Sequence, residues 1–234
     1  MLHNILALVV TFALALIWLR INDFAAHHGW ISSHVSRKII HMGTGPLFVL
    51  CWLLFSETPE ARFLAALVPL AITGQFILVG TGLIQDEAAV SAMSRSGDRR
   101  EILRGPMYYG IIFVALTLYY WRSSPIGIIA LMLMCGGDGL ADLLGRRFGS
   151  LKLPWNQDKS WMGSLGMFIG GWSFALIILG AYRIFGYFSG DFSIYLVPIT
   201  IIALVGTLVE TLPFKDIDNL TVTAAAVVMG TLLF

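Results

Sequence analysis

Charge is what this chain has least of. Asp, Glu, Lys and Arg make up 12% of its 234 residues, against 57% hydrophobic residues and a mean hydropathy of +0.81. An ordinary soluble domain is about one quarter charged. So little charge excludes a chain solvated on all sides, and with repeated long apolar runs it indicates a polytopic membrane protein. Cysteine is nearly absent too. Cys51 and Cys135 both lie in apolar stretches, which excludes a disulfide framework and makes them small core residues rather than ligands. No Walker A motif exists, because Lys159-Ser160 lacks the preceding glycine pattern. Any nucleotide site is therefore of another kind.

What is present is a series of apolar stretches, near residues 4–20, 39–56, 62–84, 106–122, 125–145, 161–186, 192–212 and 219–234. They predict an all-α, polytopic transmembrane helical bundle of about eight helices, forming one integral membrane domain over residues 1–234. The second, fourth and eighth are short for a span of about 20 residues, so seven helices stay open as a count. The first run has no Lys or Arg before it and Arg20 after it. That is the reverse of a cleavable signal and reads as a retained first helix.

Charge placement tests the count. Twelve of the 15 Lys and Arg residues fall in the connections after odd-numbered segments. These are Arg20, Arg37, Lys38, Arg95, Arg99, Arg100, Arg104, Arg146, Arg147, Lys152, Lys159 and Lys215. The other connections hold only Arg62, Arg122 and Arg183. Such asymmetry sets orientation, so the odd connections are expected on the cytoplasmic side.

The unusual polar residues gather on that same side. In "MCGGDGLADLLGRRFG" (134–149), Asp138 and Asp142 stand four apart, on one helix face and one turn from each other. Adjacent carboxylates repel unless a cation lies between them. A hard divalent ion such as Mg2+, itself touching phosphate oxygens, suits them; ion pairing with Arg146 or Arg147 is the plainer alternative. Intramembrane acids point to function. Gly136, Gly137 and Gly139 leave room for close backbone approach to a phosphate, though membrane glycines also serve helix packing. That packing reading is the stronger one for Gly163, Gly166 and Gly170.

Beyond this block, Arg146, Arg147, Lys152, Lys159 and Ser160 offer fixed cations and a hydroxyl to a triphosphate, or simply set topology. In "RKIIH", Arg37, Lys38 and His41 lie within about a helical turn. They suit a phosphate, or in the case of His41 an alcohol proton. Arg99, Arg100, Glu101 and Arg104 read equally as a cap on a nucleotide pocket or as a solvated turn. Glu210 closes the seventh segment and is a further metal-ligand candidate. Asn219 is expected as an N-cap or site ligand at the start of the eighth, and Asp216 as a solvated acid.

Five blocks carry a resemblance: "RKIIHMGTG", "SRSGDRREILRGPMYYG", "CGGDGLADLLGRRFG", "KLPWNQDKSWMGSLGMFIGG" and "VETLPFKDIDNLTV". In order and spacing they resemble the phytol kinase branch of the polyprenol kinase family, from about Ser36 to Val222. The wider family includes dolichol kinase and is distantly similar to CDP-diacylglycerol synthase. The resemblance implies a polytopic helical enzyme that phosphorylates a membrane-dissolved isoprenoid alcohol, phytol first. It implies CTP as phosphoryl donor, a divalent cation, and a link to tocopherol biosynthesis. It places the nucleotide and metal site on the Asp138/Asp142 and Lys159-Ser160 blocks.

Together these readings make Asp138, Asp142, Lys159 and His41 the catalytic candidates. Arg37, Lys38, Gly137, Gly139, Arg146, Ser160, Arg100 and Asn219 are the nucleotide-binding candidates, and Asp138, Asp142 and Glu210 the metal ligands. Expected partners are the prenyl alcohol, a nucleoside triphosphate and membrane lipids, with no nucleic acid and with homo-oligomers allowed. Plant members bear a plastid transit peptide, whereas this chain opens on a membrane segment. The expectation is accordingly a bacterial, cyanobacterial enzyme in an inner or thylakoid membrane, with its site facing the cytoplasm. A cytidylyltransferase making a CDP-activated lipid is the enzymatic alternative. A CDP-alcohol phosphotransferase fits poorly, because Asp138-Gly139 is followed by Leu140, Ala141 and Asp142 rather than by its D-G-x-x-A-R pattern. A transporter is the alternative of another class, yet no inverted repeat is visible and the charges gather at one edge.

Overall fold

The computed structural model describes residues 1–234 apart from Arg95, Lys215 and Asp216, and leaves undescribed the side chains of Asp23, His27, Ser33, Ser91 and Ala92. The expectation for Asp216 therefore lies outside the described residues, as do two of the basic residues used to count topology. The described helices, in order, are α1 (Leu2–His27), α2 (Ser33–Cys51), α3 (Ala61–Thr81), α4 (Glu87–Met93), α5 (Gly105–Tyr119), α6 (Pro125–Met132), α7 (Asp138–Phe148), α8 (Trp161–Ile184), α9 (Ser193–Glu210) and α10 (Asp218–Leu233). A short antiparallel hairpin, β1 (Lys152–Leu153) and β2 (Asn156–Ser160), is the one departure from helix that the sequence reading lacked.

Each of the eight apolar stretches is helical. Among the described residues six helices are long and apolar enough to cross a membrane: Leu2–Ala26, Ala61–Thr81, Arg99–Tyr119, Pro125–Phe148, Trp161–Ile184 and Ser193–Glu210. The other two stretches are the second and the eighth, both short by sequence. The eighth, α10, has 16 residues, and α2 opens on the polar "SHVSRKIIH". The fourth stretch gains its length from a 3-10 turn, Arg99–Leu103, that leads into α5.

Apolar surroundings leave a hydroxyl no water to bond, so the helices satisfy their own. Thr11, Thr73, Thr117, Thr200 and Thr207 each donate to the carbonyl four residues back, at 2.6–2.7 Å.

The chain divides into two compact units. The first comprises Met1–Ile40 and Cys51–Tyr119. In it α3 packs on α5, closest at Gly110, where any Cβ would run into the Thr73 side chain. Buried Asn4 of α1 holds the loop after α2, accepting from the Ser56 amide at 2.8 Å and donating to Thr58 Oγ1 at 3.1 Å. Cys51 is buried here and Cys135 in the second unit, both as core residues.

The second unit comprises His41–Leu50 and Tyr120–Phe234. Its axis is one continuous run: α6, a π-helical turn over Leu133–Gly137, then α7. Every residue from Ile126 to Gly137 is buried. The π turn inserts an extra residue into the helical repeat and so re-aims the side chains beyond it, and such turns cluster at functional sites. The first residue beyond it is Asp138. Helix α8 lies against this run along a seam of glycines. A Cβ at Gly166 would stand 2.7 Å from the Leu140 carbonyl, and one at Gly163 3.3 Å from that of Ala141. Gly170 faces the Gly136 carbonyl. The packing reading of these three glycines holds.

Gly136, Gly137 and Gly139 are buried inside the helical run, where amides bond along the helix. Gly136 backs onto Phe174, Gly137 onto Met167, and Gly139 onto Met42 of α2. Ser160 has a structural role as well. It is buried as the N-cap of α8, its Oγ accepting from the Gly163 amide at 3.1 Å.

This packing has two consequences for stability. Gly166→Ala, which drives a methyl at a backbone carbonyl, should lower stability by about 1–3 kcal/mol. Gly180→Ala, on the same helix with nothing within 4 Å of the added Cβ, should be neutral or better. Thermal unfolding of the detergent-solubilised protein separates them, and equal midpoints would refute the seam. Ser160→Ala should lose about 1 kcal/mol in the same assay, the worth of a helix cap.

Candidate active site

Three acids of the second unit line one cleft. Asp138 is the first residue of α7, Asp218 the first of α10 and Glu210 the last of α9. Carboxylates suit helix N-termini, so the dipole of α10 favours Asp218, whereas Asp138 lies within the continuous run of α6, the π turn and α7. Glu210 stands at the wrong end for an anion and is only 5% exposed. It therefore needs a cation, and Lys159 supplies it: Nζ donates to Glu210 Oε1.

Lys159 arrives there through the hairpin. Asn156, buried at the start of β2, donates from Nδ2 to the Thr211 carbonyl at 3.0 Å and so ties the hairpin to the end of α9. Three residues further on, Lys159 faces Glu210. Burial works against the lysine's charge, but the Glu210 carboxylate outweighs it, with Asp218 and Asp138 adding to the same effect. The ammonium consequently keeps its proton above the ordinary lysine range.

His41, on α2, reaches Asp138. Its Nε2 lies 3.2 Å from Asp138 Oδ2 and 3.4 Å from the Met134 carbonyl. Both partners are acceptors, so the geometry assigns the hydrogen to Nε2 and makes the imidazole a donor to Asp138. A narrow cleft with a volume of about 10 Å³ is lined by Met134, Asp138, Met167, Glu210, Asp218, Asn219 and Val222. Its polar side chains carry oxygen, and its apolar ones are two methionines and a valine.

Asp142 has one oxygen paired within its own helix and the other, Oδ2, buried. Its Oδ1 accepts from Arg146 Nε at 2.9 Å, one turn along α7, in a pair whose arginine is 59% exposed. It does not line the cleft. Among the described residues no three His, Cys, Asp or Glu side chains converge closely enough to hold a metal unaided. Asp138 and Glu210 line the cleft together, and Asp142 stands one turn along α7 from Asp138. A hard cation still fits the donors that line the cleft. Asp138, Glu210, Asp218 and Asn219 offer oxygen, and Glu210 Oε2 is buried with no hydrogen-bond partner. Mg2+ habitually takes one or two protein carboxylates and fills its shell with water and phosphate oxygens.

Asn219 lines the cleft but caps nothing: α10 has no side-chain cap, and the Asn219 amide donates to Asp218 Oδ1 at 3.1 Å. Asp218 is the site residue that the sequence reading left out. Its signal was there, an acid opening an apolar helix in "DIDNL". Arg37, Lys38 and Arg100 belong to the first unit. There Arg37 donates to the Ser94 carbonyl at 3.1 Å, while Arg100 is exposed in the turn before α5. Arg147 and Lys152 are exposed as well.

No family model and no solved structure matches the chain. Named relatives do. "Probable phytol kinase 1, chloroplastic" of Oryza sativa is 44% identical over 206 residues, which is 87% of this chain and 66% of the relative. "Phytol kinase 1, chloroplastic" of Arabidopsis thaliana is 39% identical over 206 residues, 87% of this chain and 68% of the relative. "Farnesol kinase, chloroplastic" of the same plant is 40% identical over 208 residues, 88% and 67% respectively. The chain thus spans about two thirds of the length of these relatives. All three are chloroplast proteins of plants, which overturns the expectation of a bacterial enzyme in a bacterial membrane. With identities of this size across most of its length, the chain belongs to the phytol kinase family, in which a farnesol kinase also stands.

Proposed function

We propose that the protein transfers the γ-phosphoryl group of CTP to the hydroxyl of an isoprenoid alcohol, phytol first, giving the monophosphate and CDP. One observation carries the reading: three carboxylates and apolar side chains line one cleft, and a lysine pairs with one of the carboxylates. A prenyl alcohol keeps its tail among apolar surfaces and its hydroxyl at their edge, while a nucleotide arrives from water. An edge site is where they meet, and the basic connections mark that edge.

Asp138 and Glu210, with Asp218 beside them, are the residues to hold Mg2+, which when bound neutralises charge on the phosphate oxygens. His41 donates to Asp138 and fixes its carboxylate, making it a positioning residue. Lys159 supplies a mobile cation for the transferring group, and Arg146, steadied by Asp142, a second one nearer the solvent. The hydroxyl oxygen forms its bond to the γ-phosphorus as the bond to the bridging oxygen breaks, and CDP leaves. Positioning and charge stabilisation carry most of such a transfer, so no strong base is required.

The test is transfer of label from γ-labelled CTP to phytol and farnesol by the purified protein, with the nucleotide product identified. CDP supports the kinase; pyrophosphate would mean a cytidylyltransferase instead. Asp138→Asn and Glu210→Gln should each cut the rate at least about 100-fold, the usual scale for losing a charge-stabilising group, and Asp138→Asn should do so with an unfolding midpoint close to the parent's. Asp142→Asn should cost less than either. Full activity in Asp138→Asn would remove the metal role.

A further inference from the structure

Lys159 covers one oxygen of an acid that lines the cleft. Its ammonium lies on Glu210 Oε1, with Asp138 and Asp218 close enough to act on its charge. The other oxygen of Glu210, Oε2, is buried without a partner on the wall of the cleft that Asp138 and Asp218 also line. A divalent ion and an ammonium cannot share so small a space, since like charges at contact distance repel strongly. The lysine differs from the acids in one respect. They stand on helices, whereas Lys159 reaches in from a hairpin on a flexible four-carbon stem.

We propose that Lys159 is a resident counter-ion that keeps the divalent cation off Glu210 until a nucleoside triphosphate arrives, so that cation and nucleotide enter together. The triphosphate offers the ammonium a stronger anion to move to, and it brings the oxygen ligands that the protein lacks. Both changes release Glu210 at the moment its replacement partner is present. Without nucleotide the site stays neutralised and closed to the metal. This rests on the cation site of the proposed function.

Mn2+ serves as the probe, its free concentration read by electron paramagnetic resonance on the full chain in detergent. For the parent protein, Mn2+ alone should bind at least about tenfold more weakly than Mn2+ with the non-hydrolysable β,γ-methylene analogue of CTP, within the usual range of coupling between two ligands. Lys159→Met should bind Mn2+ alone about tenfold more tightly than the parent. Lys159→Arg, which keeps the charge, should behave as the parent does, and adding Glu210→Gln to Lys159→Met should abolish the gain. Equal Mn2+ affinity of the parent with and without the analogue would overturn the proposal, and it needs no variant to fold. So would a Lys159→Met protein of parental unfolding midpoint that gains nothing, with the cation site itself left standing if Asp138→Asn still weakens the Mn2+–analogue complex. Absence of any Mn2+ binding in the presence of the analogue would remove both the counter-ion role and the site.

Discussion

A buried acid at the C-terminal end of an apolar helix is the constraint on which this site depends. Glu210 has almost no contact with solvent and sits where the α9 dipole opposes its charge. Taking a lone charge out of water costs several kcal/mol even after relaxation, so the fold must bring a cation to it. The hairpin does that, and Asn156 holds the hairpin to the chain just past Glu210. Two β-strands in an otherwise helical protein thereby deliver one ammonium to one carboxylate.

The second requirement is proximity of backbones. The run from α6 through the π turn to α7 lies closer to α8 than any side chain would permit, because both carry glycine where they touch. Without a hydrophobic effect to press helices together in lipid, close dispersion contact between small residues does that work. The same seam determines where α7 starts, and with it Asp138. The π turn immediately before Asp138 and the His41 donor on α2 complete its orientation. Packing and chemistry are thus adjacent in the chain: Gly136 and Gly137 pack, and Asp138 faces the cleft.

Kinship and site geometry support each other from different directions. The relatives share identity over most of this chain and bear names for acting on phytol and farnesol, alcohols that differ in apolar length. Met134, Met167 and Val222 line the cleft beside its acids. Methionine is flexible enough to pack against chains of more than one shape.

Much was readable from the amino-acid order alone: the all-α membrane-embedded class, the eight apolar stretches, the collection of Asp138, Lys159, Glu210 and Asn219 at segment ends, and the family. Each rests on a local property, either apolar run length or charge placement, or on direct likeness of blocks. Pairing was not readable. Asp142 turned to Arg146, Lys159 found a partner 51 positions away, Asp218 entered the cleft, and the glycines around Asp138 proved to be packing surfaces. Those outcomes depend on which helix ends abut and at what rotation. Helix–helix contact and the π turn set both, and neither has a signature in residue spacing.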